Sequence, residues 1–344
     1  MCEAWLESST RAVKALLTTS GTSALELAVL LAGIGPGDEV IMPSFTFPST
    51  ANCVVLRGAT PVFVDSDEGT MNIDPVRVRA AVTSRTAAVI PVHYAGTGCD
   101  MDAICGIARD AGAMVIEDAA QAVCASWQGR SLGAIGQLGA LSFHVSKNVS
   151  CGEGGALLIN EPRLVERAEI LWEKGTDRKR FLRGEVAKYR WRDVGSSFLP
   201  SEVLAALLSA QMERAWDITR ARVGLWDRYH GSLAPLEDAG FLRRPTVPAG
   251  CHHNGHIYFI TLRSTAVREM VVEEMRRASI MVQTHYVPLH SAPAGRRFGR
   301  AHGPMDVVDS VAPRLLRLPL FPDMTPEQHA VVVGVLQRVA GMGG

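Results

Sequence analysis

The feature that most constrains this chain is the regular alternation, through its first half, of short apolar runs with helix-like stretches. Glu39-Val40-Ile41-Met42 reads as a strand after the turn Gly35-Pro36-Gly37-Asp38. Pro61-Val62-Phe63-Val64-Asp65, Ala87 to Val92, and Ala113-Met114-Val115-Ile116-Glu117-Asp118 follow, with Leu141-Ser142-Phe143 and Ala156 to Ile159 completing the set. Helical patterns fill the gaps at Ser23 to Ala32, Pro48 to Leu56 and Met101 to Ala111. Strands separated by helices at this spacing need crossover connections, and those build a largely parallel sheet covered on both faces. Several runs are continuous rather than alternating, as strands buried on both sides are.

The second half reads differently. A helix is expected from Pro162 to about Trp172, then a charged, poorly periodic stretch from Lys174 to Arg192 that is dense in Lys and Arg. That stretch is a solvated loop, or one that reaches a partner subunit or an anionic ligand. Ser201 to Arg222 reads as one long helix capped by Ser201, with Leu204, Leu207 and Leu208 at helical spacing. After about residue 230 come a strand at Ile257 to Ile260, a charged helix from Val267 to Ala278 and a closing helix from Pro326. The expected class is therefore α/β, with a large, mixed but mostly parallel sheet domain over 1–230 and a smaller C-terminal α+β domain over 231–344.

Charge and composition remove several classes of function. Thirty-five Lys and Arg balance thirty-five Asp and Glu, so no basic excess calls for nucleic acid. The longest apolar candidate for a membrane span, Leu25 to Gly35, carries Glu26 and stops at Pro36. Met1-Cys2-Glu3-Ala4-Trp5-Leu6-Glu7 lacks the basic start and apolar core of a secretory signal. Seven cysteines without a C-x-x-C pair argue against a disulfide scaffold and a cysteine zinc site, and point to a reducing, cytoplasmic setting. His252-His253-Asn254-Gly255-His256 leads into a strand pattern with no supporting ligand pattern, so no metal site is expected.

Three segments carry chemistry. Thr18-Thr19-Ser20-Gly21-Thr22-Ser23 precedes a helix, and a helix start with free amides and hydroxyls suits a phosphate; it equally suits an ordinary N-cap. Asp118 ends an apolar strand, where ligands of parallel sheets bind, although capping a helix is also open to it. Lys147 lies between a short strand and the turn Gly152-Glu153-Gly154-Gly155; desolvated there, its amine turns nucleophilic, while most lysines are surface groups. Their order decides between these readings. A phosphate turn, an aromatic in Phe45-Thr46-Phe47, an acid after a strand and then a lysine match what pyridoxal 5'-phosphate (PLP) needs: anion donors, a ring face, a partner for a protonated pyridine nitrogen, and an amine for its aldehyde.

At this point the chain resembles the PLP-dependent sugar aminotransferases of the DegT–DnrJ–StrS group, from about Trp5 to about Leu336. Within the group it is most similar to the dTDP-4-amino-4,6-dideoxygalactose transaminases. The closer match is carried by Pro36 to Ser44, Thr70-Met71-Asn72-Ile73-Asp74, Pro91-Val92-His93-Tyr94-Ala95-Gly96, Trp191 to Ser197, and His285-Tyr286-Val287-Pro288-Leu289-His290. The resemblance implies the aspartate-aminotransferase-like fold (fold type I), PLP as cofactor, nucleotide-sugar and amino-acid substrates, a homodimer with shared active sites, and a place in polysaccharide or lipopolysaccharide biosynthesis. It also implies a further segment ahead of Trp5, on the scale of ~30 residues where helices average about three turns, near the sugar nucleotide.

Residue by residue, the resemblance makes Lys147 the lysine that carries the cofactor and Asp118 the partner of its ring nitrogen. Gln121 falls near the phenolic oxygen, Gly21, Thr22 and Ser142 at the phosphate, and Phe47 against the ring. Ser197 stands where many members place an Asn that reaches the phosphate of the neighbouring subunit. His285, Tyr286 and His290 stand where loop residues approach the sugar. The implied reaction transfers an amino group from glutamate to C4 of a nucleotide-linked 4-keto-6-deoxy sugar. The group's sugar dehydratases carry histidine in place of the lysine, so the presence of Lys147 counts against that chemistry. An inactive or regulatory PLP-binding relative is the reading from another class.

Overall fold

The computed structural model describes residues 1–342. The expected apolar runs do form strands. In chain order they are β1 (Lys14–Thr18), β2 (Glu39–Pro43), β3 (Thr60–Val64), β4 (Thr86–Val89), β5 (Met114–Asp118), β6 (Ser126–Trp127) and β7 (Arg130–Ser131). These are followed by β8 (Leu138–Ser142), β9 (Gly155–Ile159), β10 (Leu242–Arg243), β11 (Cys251–His252), β12 (Tyr258–Leu262), β13 (Arg300–Ala301) and β14 (Leu315–Leu318). Eight of them form one sheet in the order β1-β9-β8-β5-β4-β2-β3-β13. Only β9 opposes its neighbours, pairing antiparallel with β1 and β8, so the sheet is mixed and mostly parallel.

Both faces of this sheet are buried. One apolar core holds residues such as Ile41, Val62, Val115, Leu141 and Leu158. The other holds Leu16, Val40, Ile90, Ile116 and Leu157 beneath the helix Gly21–Leu31. Alternate residues of one strand thus go to opposite cores, as the two-residue period of a strand requires. The same alternation separates two adjacent acids on β5. Glu117 turns inward and is held by His93 Nε2 and the amides of Gly133, Ile135 and Gly136 at 2.6–2.9 Å. Asp118 turns toward the strand ends.

A second, three-stranded sheet, β10-β12-β14, packs with the helices Thr265–Arg277 and Pro326–Met342 around a core running from Leu225 to Val339. The expected boundary near 230 falls inside the helix Ala215–Ser232, whose Leu225, Trp226 and Tyr229 already belong to this second core. The later chain also returns to the large sheet. β13 extends it beside β3, Arg300 donates to Glu39 at 3.0 Å, and Asp65 accepts from the amides of Val307 and Val308 at 2.9 and 3.0 Å.

Two expectations change. The single helix over Ser201 to Arg222 is two, Glu202–Glu213 and Ala215–Ser232, parted at Arg214. Ser201 does cap the first, accepting from Val203 N at 3.3 Å. The basic stretch from Lys174 to Arg192 contains a short helix, Arg178–Leu182, and much of its charge is paired within the chain. Arg183 grips Glu169 through both oxygens, Arg178 and Lys174 meet Glu173, and Arg192 meets Asp177 at 2.6 Å. Among the described residues no helix is long and apolar enough to cross a membrane.

Candidate active site

The carboxyl ends of β5 and β8, the loop after β2 and the start of the helix Gly21–Leu31 surround one cavity of about 520 Å³. Its walls bring together Gly21, Thr22, Phe47, Asp118, Gln121, Ser142, Lys147, His285 and Tyr286. That volume lies in the range of pockets that enclose small ligands.

The anion cradle is built from backbone. Ser20 caps the helix, its hydroxyl accepting from Ser23 N at 3.0 Å, and Thr18 Oγ1 donates to the carbonyl of Ser20 at 2.8 Å. The first amides of a helix have no partner four residues back, so those of Gly21 and Thr22 are free to face a ligand. Glycines let the turn sit directly on the sheet. A Cβ on Gly155 falls 2.3 Å from the carbonyl carbon of Ser20, and one on Gly21 falls 2.8 Å from Cβ of Ser142. Thr22 Oγ1 also meets Ser49 Oγ at 2.8 Å.

Asp118 is buried, and its carboxylate accepts from Thr50 Oγ1 at 2.7 Å and from Ala120 N at 3.2 Å. Burial raises its affinity for protons, only partly countered by those two donors and by Lys147. Across the cavity, the amine of Lys147 has no hydrogen-bond partner among the described residues. Burial and the Arg317 charge hold it down at about 8, against the pull of Asp118. A largely desolvated amine and a buried carboxylate, with no salt bridge to Asp118 among the described residues, therefore face the same space.

The remaining walls fix orientation. Gln121 accepts from Ala95 N at 2.7 Å and donates to the Tyr286 hydroxyl at 3.2 Å. Tyr286 and His285 stack with ring centroids 4.1 Å apart. Burial, with Arg317 and Lys147 nearby, depresses His285 to about 3, so its imidazole is neutral. Phe47 is 57% exposed at the cavity mouth, an aromatic face not spent on the core.

Two expected residues are elsewhere. His290 does not line the cavity; its Nδ1 meets Ser44 Oγ at 2.6 Å and its Nε2 lies 3.3 Å from Asp309, so it pins the loop after β2. Ser197 is exposed, in a lone antiparallel bridge with Glu173, outside the cavity of its own chain. Sequence reasoning missed Thr46, Thr50, His256, Gln283 and Arg317, all at or beside this site. His253 and His256 diverge, the first against Trp226 and the second toward Asn148 at 2.9 Å. Among the described residues no three His, Cys, Asp or Glu side chains gather as a metal site.

A family model for the DegT/DnrJ/EryC1/StrS aminotransferases matches residues 3–337. The chain belongs to that family. It is a family of PLP-dependent aminotransferases, and this chain is one in class. It is 36% identical over 333 residues to the spore coat polysaccharide biosynthesis protein SpsC of Bacillus subtilis, covering 94% of this chain and 85% of that one. An aminotransferase of the family from Brucella abortus superimposes with a TM-score of 0.90 at 30% identity, over 98% of this chain and 89% of that one. S. venezuelae DesV, solved with a ketimine intermediate, gives 0.88 at 31%, over 98% and 88%. These likenesses agree with the fold type I architecture.

The DegT/DnrJ/EryC1/StrS cavity also fits the cofactor by its own chemistry. It offers free helix amides for a phosphate, a buried acid without a salt bridge and an amine without a hydrogen-bond partner among the described residues, and an exposed aromatic face, each matching one part of PLP.

Proposed function

We propose that this enzyme moves an amino group from L-glutamate to C4 of a nucleotide-linked 4-keto-6-deoxy sugar, with dTDP-4-keto-6-deoxyglucose giving dTDP-4-amino-4,6-dideoxygalactose. The observation that carries the reading is the convergence of Lys147 and Asp118 on one cavity beside a helix start. The choice of sugar rests on the motif stretches around Thr70 to Asp74, Trp191 to Ser197 and His285 to His290, and likeness to SpsC supports a role in polysaccharide synthesis.

When bound, the cofactor supplies an aldehyde that takes up an amine and a protonated ring that accepts electrons. The chain's own groups do the rest. Gly21 and Thr22 amides and the Ser142 hydroxyl hold the phosphate, and Phe47 covers the ring face. Asp118, held by Thr50 and Ala120, keeps a negative charge at the ring nitrogen. Lys147 would hold the cofactor, and its amine is the group that would accept and return a proton as general base and acid. An amine held at about 8 is poised for both roles near neutral pH. Tyr286 and neutral His285 line the substrate side without adding charge.

The chain acts as a homodimer in this reading, with Ser197 of the partner subunit approaching the phosphate, and works in the cytoplasm, consistent with seven free cysteines. The deciding experiment gives the purified protein PLP, glutamate and dTDP-4-keto-6-deoxyglucose and follows the sugar nucleotide by mass spectrometry. Conversion of ketone to amine is expected. An unchanged sugar beside normal formation of 2-oxoglutarate removes the assigned acceptor. Borohydride trapping that labels a residue other than Lys147 removes the site assignment.

A further inference from the structure

Asn148, next to Lys147, belongs to a hydrogen-bond network that fixes one buried histidine. Its Nδ2 donates to the carbonyl of Asn254 at 2.9 Å, so its Oδ1 is the atom that meets Nδ1 of His256 at 2.9 Å. An amide oxygen only accepts, so Nδ1 of His256 carries the proton and Nε2 the lone pair. The loop around His256 is tied down at several points. Asn254 donates to the carbonyls of Gln121 and Val123 at 2.8 Å and accepts from the His256 amide at 3.0 Å. Arg222 donates to the carbonyls of Gly255 and His256 at 3.0 and 2.8 Å. Gly96 makes room for this arrangement, because a Cβ there would overlap Oδ1 of Asn254. His256 lines the cavity described above and also a second one of about 780 Å³, and Lys147 lines the same two.

His256 is neutral. Burial pushes its imidazole well below the usual histidine range, and Lys147, Arg222, Arg317 and His285 around it act in the same direction. Its Nε2 and the amine of Lys147 are each without a hydrogen-bond partner among the described residues. We propose that His256 is a positioning residue for Lys147, its Nε2 accepting a hydrogen bond from the amine whenever the cofactor does not hold that amine. This rests on the aminotransferase reading above and adds to it the group that keeps the released lysine in place.

Electrostatics explain why a neutral imidazole suits this task. A free Lys147 amine is drawn to Asp118 across the cavity. An ion pair between them would occupy the carboxylate that the ring nitrogen requires and would raise the proton affinity of the amine. A neutral acceptor orients the amine with a far smaller pull on its proton. The lysine stem is long and flexible, so the amine needs a fixed partner to hold one position. His256 is such a partner, with its ring bonded at Nδ1 and its backbone held at both the amide and the carbonyl. The tautomer matters as much as the charge, because an Nε2–H ring would be a second donor facing an ammonium.

Protein loaded with pyridoxamine phosphate keeps a cofactor in the cavity and leaves the Lys147 amine free. Trace acetylation with acetic anhydride over a pH series, read at Lys147 by peptide mass, gives the midpoint at which the amine loses its proton. A hydrogen bond from an ammonium to a lone pair stabilises the charged form, so its loss lowers that midpoint. His256→Phe is expected to lower it by about one pH unit. His256→Gln, which offers a neutral carbonyl oxygen of similar reach, is expected to restore most of the parent value. A histidine with only a structural role gives the same midpoint in all three proteins, or the same drop in both variants, and either result overturns the assignment. A second measurement needs no variant. By nitrogen NMR of the parent, His256 is expected as the Nδ1–H tautomer, with Nε2 resonating as a hydrogen-bond acceptor in the pyridoxamine phosphate form and as a free lone pair once PLP occupies Lys147. The opposite tautomer, or an Nε2 resonance that is the same in both forms, overturns the assignment as well. Neither measurement uses glutamate or a sugar, so a wrong acceptor leaves the result standing. Failure to bind either cofactor form, seen by absorbance, removes the PLP reading instead, and the midpoints of the cofactor-free proteins then decide the role of His256.

Discussion

Thr50 donates its hydroxyl proton to Oδ2 of Asp118 at 2.7 Å, and Thr46 extends the chain to Thr50 at 2.8 Å. All three are buried. Replacing Thr50 by Val keeps the shape and removes the donor, leaving one carboxylate oxygen unsatisfied. A hydrogen bond to a charged group contributes about 1.5–3 kcal/mol. We expect Thr50→Val to lower stability by about that amount and to raise the proton affinity of Asp118 further. Denaturant midpoints check the first effect. Cofactor release, followed by absorbance, checks the second and should begin at a higher pH than in the parent as pH is lowered.

Lys147 sets a pH dependence with a definite sign. Its amine sits at about 8 in the folded chain against an ordinary value of 10.5. Between those values the unfolded chain holds the extra proton, so cofactor-free stability rises with pH across that window and falls away as pH drops through about 8. Lys147→Met removes the buried cation. The variant should be the more stable at pH 7, by on the order of 1–2 kcal/mol, with the advantage shrinking toward pH 10. Urea midpoints at several pH values measure this, and a parent less stable at pH 9 than at pH 7 contradicts it.

Two glycines give opposite expectations. Gly155 has no space for a methyl group, because the carbonyl of Ser20 and the amide of Gly21 are 2.3 and 2.6 Å from where it would sit. Gly155→Ala must displace the anion cradle, with a cost of about 1–3 kcal/mol and weaker phosphate binding. Gly334, inside the helix Pro326–Met342, meets nothing within 4 Å. Gly334→Ala should stabilise by about 0.5–1 kcal/mol. Thermal melts with and without PLP separate the pair.

Glu117 has the larger structural burden of the two adjacent acids. Its four donors, His93 and three amides, lose their acceptor together in Glu117→Ala. We expect a loss of about 3–5 kcal/mol, enough to prevent recovery of folded protein at 37 °C. Asp118→Asn, next in sequence, should fold and lose activity. Circular dichroism on both variants tests the contrast.

Much of this was legible in the sequence because the central strands are continuous apolar runs, and the acid at the end of β5 and the lysine after β8 are fixed by local spacing. β1 escaped notice because five residues merge into the Ser and Thr of the following turn. β13 has two residues and exists only through its partner β3. The long helix was overdrawn because helical periodicity continues past the break at Arg214. Arg317 gave one signal, a single charge inside Leu315-Leu316-Arg317-Leu318, and nothing local says which cavity it faces. Only pairing with β12 and Gln283 decides that. His290, expected at the sugar, is instead committed to Ser44.

The last strand of the large sheet, β13, comes from late in the chain and joins β3, which comes from near its start. During synthesis that edge stays bare until most of the protein has left the ribosome. Its open row of amides and carbonyls is then available to neighbouring chains. Yield in a heterologous host should therefore depend more on chaperone supply and translation rate than on the stability of the finished enzyme.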